Sequence, residues 1–321
     1  MAAARILLTQ RWPEAVEAAL WRDYDTTILE HTLSVPEWRA ALQEYDAICP
    51  CVTDRFVAEL GETGPVKTRL LANYGVGYNH INLDAARQLG LTVTNTPGVL
   101  TDATADLAMT LLLMVARRAG EGERQLRAGQ WRGWYPTHLM GAQVSGATLG
   151  IIGLGRIGLA MAHKAHYGFG MSILYHNRRE LNDSAVARMG ARFCANVDDL
   201  LQAADFVAIH TPGGQDTRHL FDARRFAAMR PHAYLINTSR GDVVDENALI
   251  AALDAGQIAG AALDVYEQEP RVPAALLERE NVVLLPHLGS ATLSTRTAMG
   301  MKVKANLDAF FSGQPVPDRV L

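Results

Sequence analysis

The segment Leu149-Gly-Ile-Ile-Gly153-Leu-Gly155-Arg-Ile-Gly158 runs straight into Leu159-Ala-Met-Ala-His-Lys-Ala165. A short apolar strand ends in G-x-G-x-x-G and opens directly onto a helix. In that setting the glycines permit a tight turn, close approach of backbone to a pyrophosphate, and close helix–strand packing. The N–H groups and partial positive charge of the helix N-terminus then face the phosphates. We therefore read Gly153, Leu154, Gly155, Arg156, Ile157 and Gly158 as a dinucleotide-binding loop. The alternative is a glycine turn with no ligand; the strand before, the helix after and the second strand on schedule favour the binding loop.

Cofactor choice is decided at the end of the next strand, where an Asp or Glu would bind the ribose 2′-OH of NAD. The chain there reads Ile173-Leu-Tyr-His176-Asn177-Arg178-Arg179, with no acid at the strand end and two arginines following. A carboxylate would repel a 2′-phosphate, whereas a guanidinium binds it with paired charge-assisted hydrogen bonds. Asn177, Arg178 and Arg179 therefore point to NADP(H), with NAD(H) as the alternative cofactor.

Working outward, a β-α alternation continues on both sides. Strands are expected at Ser172–His176, 205–210, 233–238, 261–265 and 282–286, and before the loop at 5–9, 47–51, 69–73 and 91–95. Helical spacing covers 13–21, and a second helix begins at Ser34. Strands separated by helices imply parallel pairing with right-handed crossovers. Residues 101–118 read as one long apolar helix, capped by Thr101 or Asp102 and buried between domains. A last helix runs from Thr292 to Phe311, and the Trp/Gly/Pro-rich stretch at 129–136 reads as a loop or projecting arm.

The chain has 321 residues, about two domains' worth, with 49% hydrophobic and 20% charged residues. That composition excludes intrinsic disorder. A formal charge of −4 gives no nucleic-acid footprint. Three cysteines, Cys49, Cys51 and Cys194, fit a reduced compartment rather than a disulfide framework. The stretch Met1–Gln10 is too short and too interrupted by Arg5 for a signal peptide, and no run reaches the length of a membrane span. The expectation is a cytoplasmic protein with no membrane or nucleic-acid partner and no assigned metal.

Three further segments fall at strand ends, where open α/β sheets place their ligands. They are Leu235-Ile-Asn-Thr-Ser-Arg240-Gly241, Leu263-Asp264-Val-Tyr-Glu267-Gln-Glu269-Pro270 and Pro286-His287-Leu-Gly289-Ser290. Together they offer the ionisable types that reduction of a 2-oxo acid needs. An arginine orients the anion, a histidinium donates the proton, and a carboxylate keeps that histidine charged. Taken singly, each has a structural explanation: a surface Arg, an ion-paired Glu, a core His.

With Asn73-Tyr-Gly-Val-Gly-Tyr-Asn79 and Asn95-Thr-Pro-Gly-Val-Leu-Thr-Asp-Ala-Thr-Ala-Asp106, these segments resemble the D-isomer-specific 2-hydroxyacid dehydrogenases. Within that family the chain is most similar to NADPH-dependent glyoxylate/hydroxypyruvate reductases. The resemblance implies that Arg240 binds the substrate carboxylate and oxo group, that His287 is the acid/base, and that Glu269 pairs with it. Glu267 is the rival for that last role. It also implies that the backbone N–H groups of Val76 and Gly77 hold the carboxylate and that Leu100 lies near the substrate. Thr104, His210, Thr211, Pro212, Thr238, Asp264 and Gly289 match cofactor-lining positions. Pro212-Gly213-Gly214 departs from relatives, which often carry a bulkier residue after the proline.

By the same resemblance the fold is α/β, with two Rossmann-like doubly wound domains and the active site in the cleft between them. A discontinuous, flavodoxin-like substrate domain takes residues 1–98 and 289–321, and the dinucleotide-binding domain takes 99–288. A homodimer is implied, with its main contact on the helix from Thr101. The arm carrying Trp131, Trp134 and His138 would cross to the partner. Rival readings are a reductase of another 2-oxo acid, such as 2-ketogluconate or phenylpyruvate, and a nucleotide-sensing corepressor-type module on the same fold.

Overall fold

A computed structural model describes residues 3–321, so the first two residues of the N-terminal stretch read above lie outside it. The chain divides into two units: the described residues up to Leu100 together with Ser290–Leu321, and Thr101–Gly289. The boundaries therefore fall at 100/101 and 289/290, against 98/99 and 288/289 drawn from the sequence.

The first unit holds β1 (Arg5–Leu8), β2 (Asp25–Ile28), β3 (Ala47–Cys49), β4 (Leu70–Ala72) and β5 (Thr92–Thr94). They form one parallel sheet in the order β2-β1-β3-β4-β5, the flavodoxin-like order. Alternate residues feed two cores: Leu7, Ile48 and Leu71 face one side, and Ile6, Leu8, Cys49 and Leu70 the other. Burial on both faces explains the continuous apolar runs. β2 was not anticipated, because Asp25-Thr-Thr-Ile28 is polar. It is an edge strand whose residues are exposed or half-buried. Ser34 does start the second helix, Val35–Glu44, with the Glu37 carboxylate accepting from the Ser34 N–H at 2.8 Å.

The last helix, Leu293–Phe311, begins after Thr292, whose hydroxyl accepts from the Thr295 N–H. It buries Val303 and Leu307 in the first unit's core, and Gly300 sits where a Cβ would come 2.6 Å from Val16 Cγ1. The tail then bonds to β5, the Val320 N–H donating to the Val93 carbonyl at 2.7 Å.

The second unit holds β6 (Thr148–Ile152), β7 (Ser172–His176), β8 (Arg192–Phe193), β9 (Phe206–Ile209), β10 (Tyr234–Asn237), β11 (Gly260–Leu263) and β12 (Val282–Leu284). The order β12-β11-β10-β9-β6-β7-β8 is a doubly wound Rossmann sheet with one strand added, and all its pairings are parallel. The two-residue β8 gives too short a pattern to be read from sequence.

The long apolar helix spans Thr101–Ala116. It starts at the boundary between the units, and it packs against helix Arg156–Phe169 and strands β10 and β11, so its apolar face belongs to the core of the second unit. Thr101 and Asp102 lie inside its first turn rather than at the cap. Among the described residues, no helix is long and apolar enough to cross a membrane.

Candidate active site

The glycine loop leaves β6 at Gly153, whose φ is +94°, in the region that favours glycine. A Cβ there would come within 2.8–2.9 Å of the main chain of His210 and Thr211, which leaves β9 alongside. Gly158 lies against the Gly153 carbonyl and the Ile151 side chain, so a Cβ would wedge helix from strand. Gly155, the N-cap of helix Arg156–Phe169, faces open space, with nothing within 4 Å of a Cβ. That opening in front of a helix N-terminus suits a pyrophosphate.

Asn177 ties this loop to the end of β7, its Oδ1 accepting the Leu154 N–H at 2.7 Å. Its Oδ1 is thus engaged by the loop, and its Nδ2 lies 3.5 Å from the Leu154 carbonyl. Arg178 and Arg179 lie beyond it, exposed, and neither makes an ion pair among the described residues. At the ends of β9 and β10, the hydroxyls of Thr211 and Thr238 are buried without a partner. Burial pushes the His210 imidazole down to about 4, so the ring is neutral at physiological pH. Open glycine face, unpaired arginines and orphaned hydroxyls fit a dinucleotide, whose polar edges would satisfy them.

The second constellation sits at the ends of β10, β11 and β12. His287 Nδ1 lies 2.8 Å from Glu269 Oε2, and Glu269 Oε1 accepts the Tyr266 N–H at 3.0 Å. Burial works against the Glu269 charge. The hydrogen bond and charge of His287, the Tyr266 N–H and the Arg240 charge outweigh it, holding the carboxyl below the usual glutamate range. The Nδ1 bond leaves Nε2 as the ring nitrogen free for chemistry.

The turn at His287 is held from below. Its own N–H donates to the Asp264 carbonyl at 2.9 Å. The fully buried Asp264 carboxylate accepts the Leu288 and Gly289 N–H groups at 2.6 and 2.8 Å. Burial raises the Asp264 pKa against those bonds. Thr104 borders the same turn, its Cγ2 3.5 Å from where a Gly289 Cβ would be.

Arg240 follows β10. Asn237 shapes its loop, accepting the Ser239 N–H and hydroxyl at 3.0 and 2.8 Å and donating to the Arg240 carbonyl at 2.9 Å. Burial lowers the Arg240 pKa while Glu269 and Asp242 oppose it, and a guanidinium remains charged throughout. Gly241 packs where a Cβ would overlap the Tyr266 carbonyl and the Glu267 nitrogen. Neither Asn237 nor Gly241 was singled out from sequence; both stood in the quoted motif, but their role is only to hold the loop that Arg240 sits on. Glu267, the rival acid, is taken by His219 and by Arg218 at 3.7 Å. The carboxylate that faces His287 is Glu269.

In the first unit, Val76 and Gly77 follow β4, and among the described residues neither backbone N–H has a partner. Leu100 is buried at the end of that unit's first segment. On the arm, Trp131 and Trp134 are exposed, and His138 Nε2 bonds Gln125 Oε1 at 2.7 Å.

The family model for D-isomer specific 2-hydroxyacid dehydrogenase, NAD binding domain, matches residues 109–289. The chain belongs to that family. D-isomer specific 2-hydroxyacid dehydrogenases are NAD(P)-dependent oxidoreductases, and a nicotinamide dinucleotide is the cofactor the second unit is built to hold. A glyoxylate reductase of Thermococcus litoralis is 42% identical, with 98% of this chain and 96% of that one covered. A family structure from a Polaromonas species superposes with a TM-score of 0.92 at 35% identity, covering 99% and 100% of the chains. An NADPH-dependent glyoxylate/hydroxypyruvate reductase of Sinorhizobium meliloti, solved with NADP and malonate, gives 0.87 at 36% identity, covering 99% and 97%.

Proposed function

We propose that this dehydrogenase reduces small 2-oxo acids, glyoxylate and hydroxypyruvate, to glycolate and D-glycerate with NADPH. Thr101–Gly289 serves as its dinucleotide-binding domain, and the residues up to Leu100 with Ser290–Leu321 as its substrate domain. The observation that carries the reading is the His287–Glu269 contact of 2.8 Å, with the Arg240 charge acting on the same carboxylate. When bound, the dihydronicotinamide supplies a hydride to the 2-carbonyl carbon. His287 Nε2 protonates the developing alkoxide, and Glu269 stabilises the imidazolium that this requires. The Arg240 fork and the Val76 and Gly77 amides hold the substrate carboxylate, and Arg240 also stabilises charge on the carbonyl oxygen. Leu100 and Thr104 shape the surroundings of substrate and nicotinamide, and Asp264 and Gly289 hold the His287 turn.

NADPH preference rests on the unpaired Arg178 and Arg179 and on the missing acid after β7. A homodimer is the state that best covers the exposed Trp131, Trp134, Tyr135 and Met140 of the arm. Steady-state rates with NADPH and NADH against a panel of 2-oxo acids test the reading. Glyoxylate and hydroxypyruvate should lead the panel, and Arg178→Ala with Arg179→Ala should raise the KM for NADPH about tenfold while leaving that for NADH unchanged. Equal use of both cofactors by the wild type would overturn the preference. Absence of turnover would leave a nucleotide-binding module.

A further inference from the structure

Two main-chain donors aimed at one anion need their peptide planes fixed, because a free loop would turn its carbonyls to the same place. Asn73 lies fully buried at the end of β4. Its Nδ2 donates to the carbonyls of Gly75 and Gly77, both at 3.0 Å. Its Oδ1 stands 2.9 Å from Nε2 of the buried His80, the geometry of a donating ring nitrogen. Because Nδ2 faces two carbonyls, which only accept, the amide oxygen is the atom turned to the ring, and the ring nitrogen is its donor. Asn95 Nδ2 donates to the Val76 carbonyl at 2.9 Å, and the Thr96 N–H supports the Gly75 carbonyl at 3.0 Å.

In a trans peptide the carbonyl of one residue and the N–H of the next point in opposite directions. Holding the Gly75 carbonyl inward therefore turns the Val76 N–H outward, and holding the Val76 carbonyl inward does the same for Gly77. Among the described residues, those two N–H groups have no hydrogen-bond partner. Three consecutive carbonyls are thus held by two asparagine amides, which leaves the N–H groups of the intervening peptides available as in anion-binding nests.

We propose that Asn73, with Asn95 and His80, is a positioning clamp that directs the Val76 and Gly77 amides at the carboxylate of a 2-oxo acid. The proposal rests on the reductase reading for its ligand and on the first unit alone for its geometry. Asn73→Asp keeps the shape but turns an oxygen toward the Gly75 and Gly77 carbonyls. Asn95→Ala releases one peptide only. His80→Gln retains a donor for Oδ1, and His80→Leu does not.

The test is the KM for glyoxylate, kcat, the NADPH dissociation constant, and calorimetric affinity for oxamate in the NADPH-loaded protein. Asn73→Asp and Asn95→Ala should each raise the KM and weaken oxamate about tenfold or more, the scale of a lost hydrogen bond to a charged group. NADPH binding should stay unchanged and kcat should move far less. His80→Gln should stay closer to wild type than His80→Leu. An unaltered KM and oxamate affinity in Asn95→Ala, in a wild type that turns over glyoxylate, would overturn the clamp and leave the reductase. Weaker oxamate binding in the variants of a protein without turnover would support the clamp and overturn the reductase reading. Should Asn73→Asp fail to fold, Asn95→Ala and the His80 pair carry the same readings.

Discussion

His287 has φ +55°, a left-handed conformation that costs a non-glycine residue of order 1 kcal/mol. The surrounding bonds over-determine it: Asp264 takes the two N–H groups that follow, and Glu269 takes Nδ1. With Nδ1 engaged, the turn presents the Nε2 of this side chain in a fixed direction. Replacing His287 by Ala should lower kcat about 100-fold or more, read by steady-state reduction of glyoxylate. In Glu269→Gln, no carboxylate stabilises the imidazolium. The loss of reduction rate on raising the pH should then begin at a lower pH than in wild type, and an unmoved profile would remove Glu269 from the mechanism. Because the Glu269 carboxyl titrates below the ordinary range, the wild-type pair persists on acidification down to that lowered value. Its contribution to stability is present above the unfolded glutamate pKa and lost only as the pH falls through the folded one.

Between elements, glycines set how closely the strand-end loops can stack. Gly241 lets the loop after β10 lie on the Tyr266–Glu267 backbone, which carries Glu269. The obstacle to a Cβ there is main chain, which cannot swing aside. Gly241→Ala should therefore cost about 1–3 kcal/mol, the range of overpacked cores, and lower kcat/KM by moving Arg240. Thermal unfolding and kinetics on one preparation check both. Gly155→Ala is the contrast, since its Cβ meets nothing within 4 Å. That variant should keep the wild-type Tm and bind NADPH more weakly, because the methyl stands where the pyrophosphate approaches.

At the scale of the molecule, the two sheets explain why so many ionisable groups meet at one end of the second unit. Parallel strands β6, β7, β9, β10, β11 and β12 all finish on the same edge, so their loops converge whatever their separation in sequence. Burial at that edge also gives the fold a pH dependence. His210 is neutral in the folded protein down to about 4, whereas in the unfolded chain it titrates near the ordinary value of 6.5. Between those values the unfolded chain binds more protons, so stability falls as the pH drops through that window. The decline amounts to at most about 3 kcal/mol. Urea unfolding from pH 7 to 4 should show it, and His210→Gln should flatten it.

The sequence alone determined the parallel α/β class and the glycine loop, and it offered an arginine, two rival glutamates and a histidine at strand ends. Glycines, strand-end polar residues and apolar runs buried on both faces leave local patterns that need no third dimension. β2 escaped because an edge strand need not be apolar, and β8 because two residues carry no period. What only the tertiary structure decided is partnership. Glu267 and Glu269 are two residues apart and chemically identical, and spacing cannot say which reaches His287. Asn177 stands beside the two arginines in sequence, and only the fold brings its Oδ1 to the Leu154 N–H. Asn73 and Asn95 carry no local sign of their role, because the carbonyls they hold are positioned by the fold.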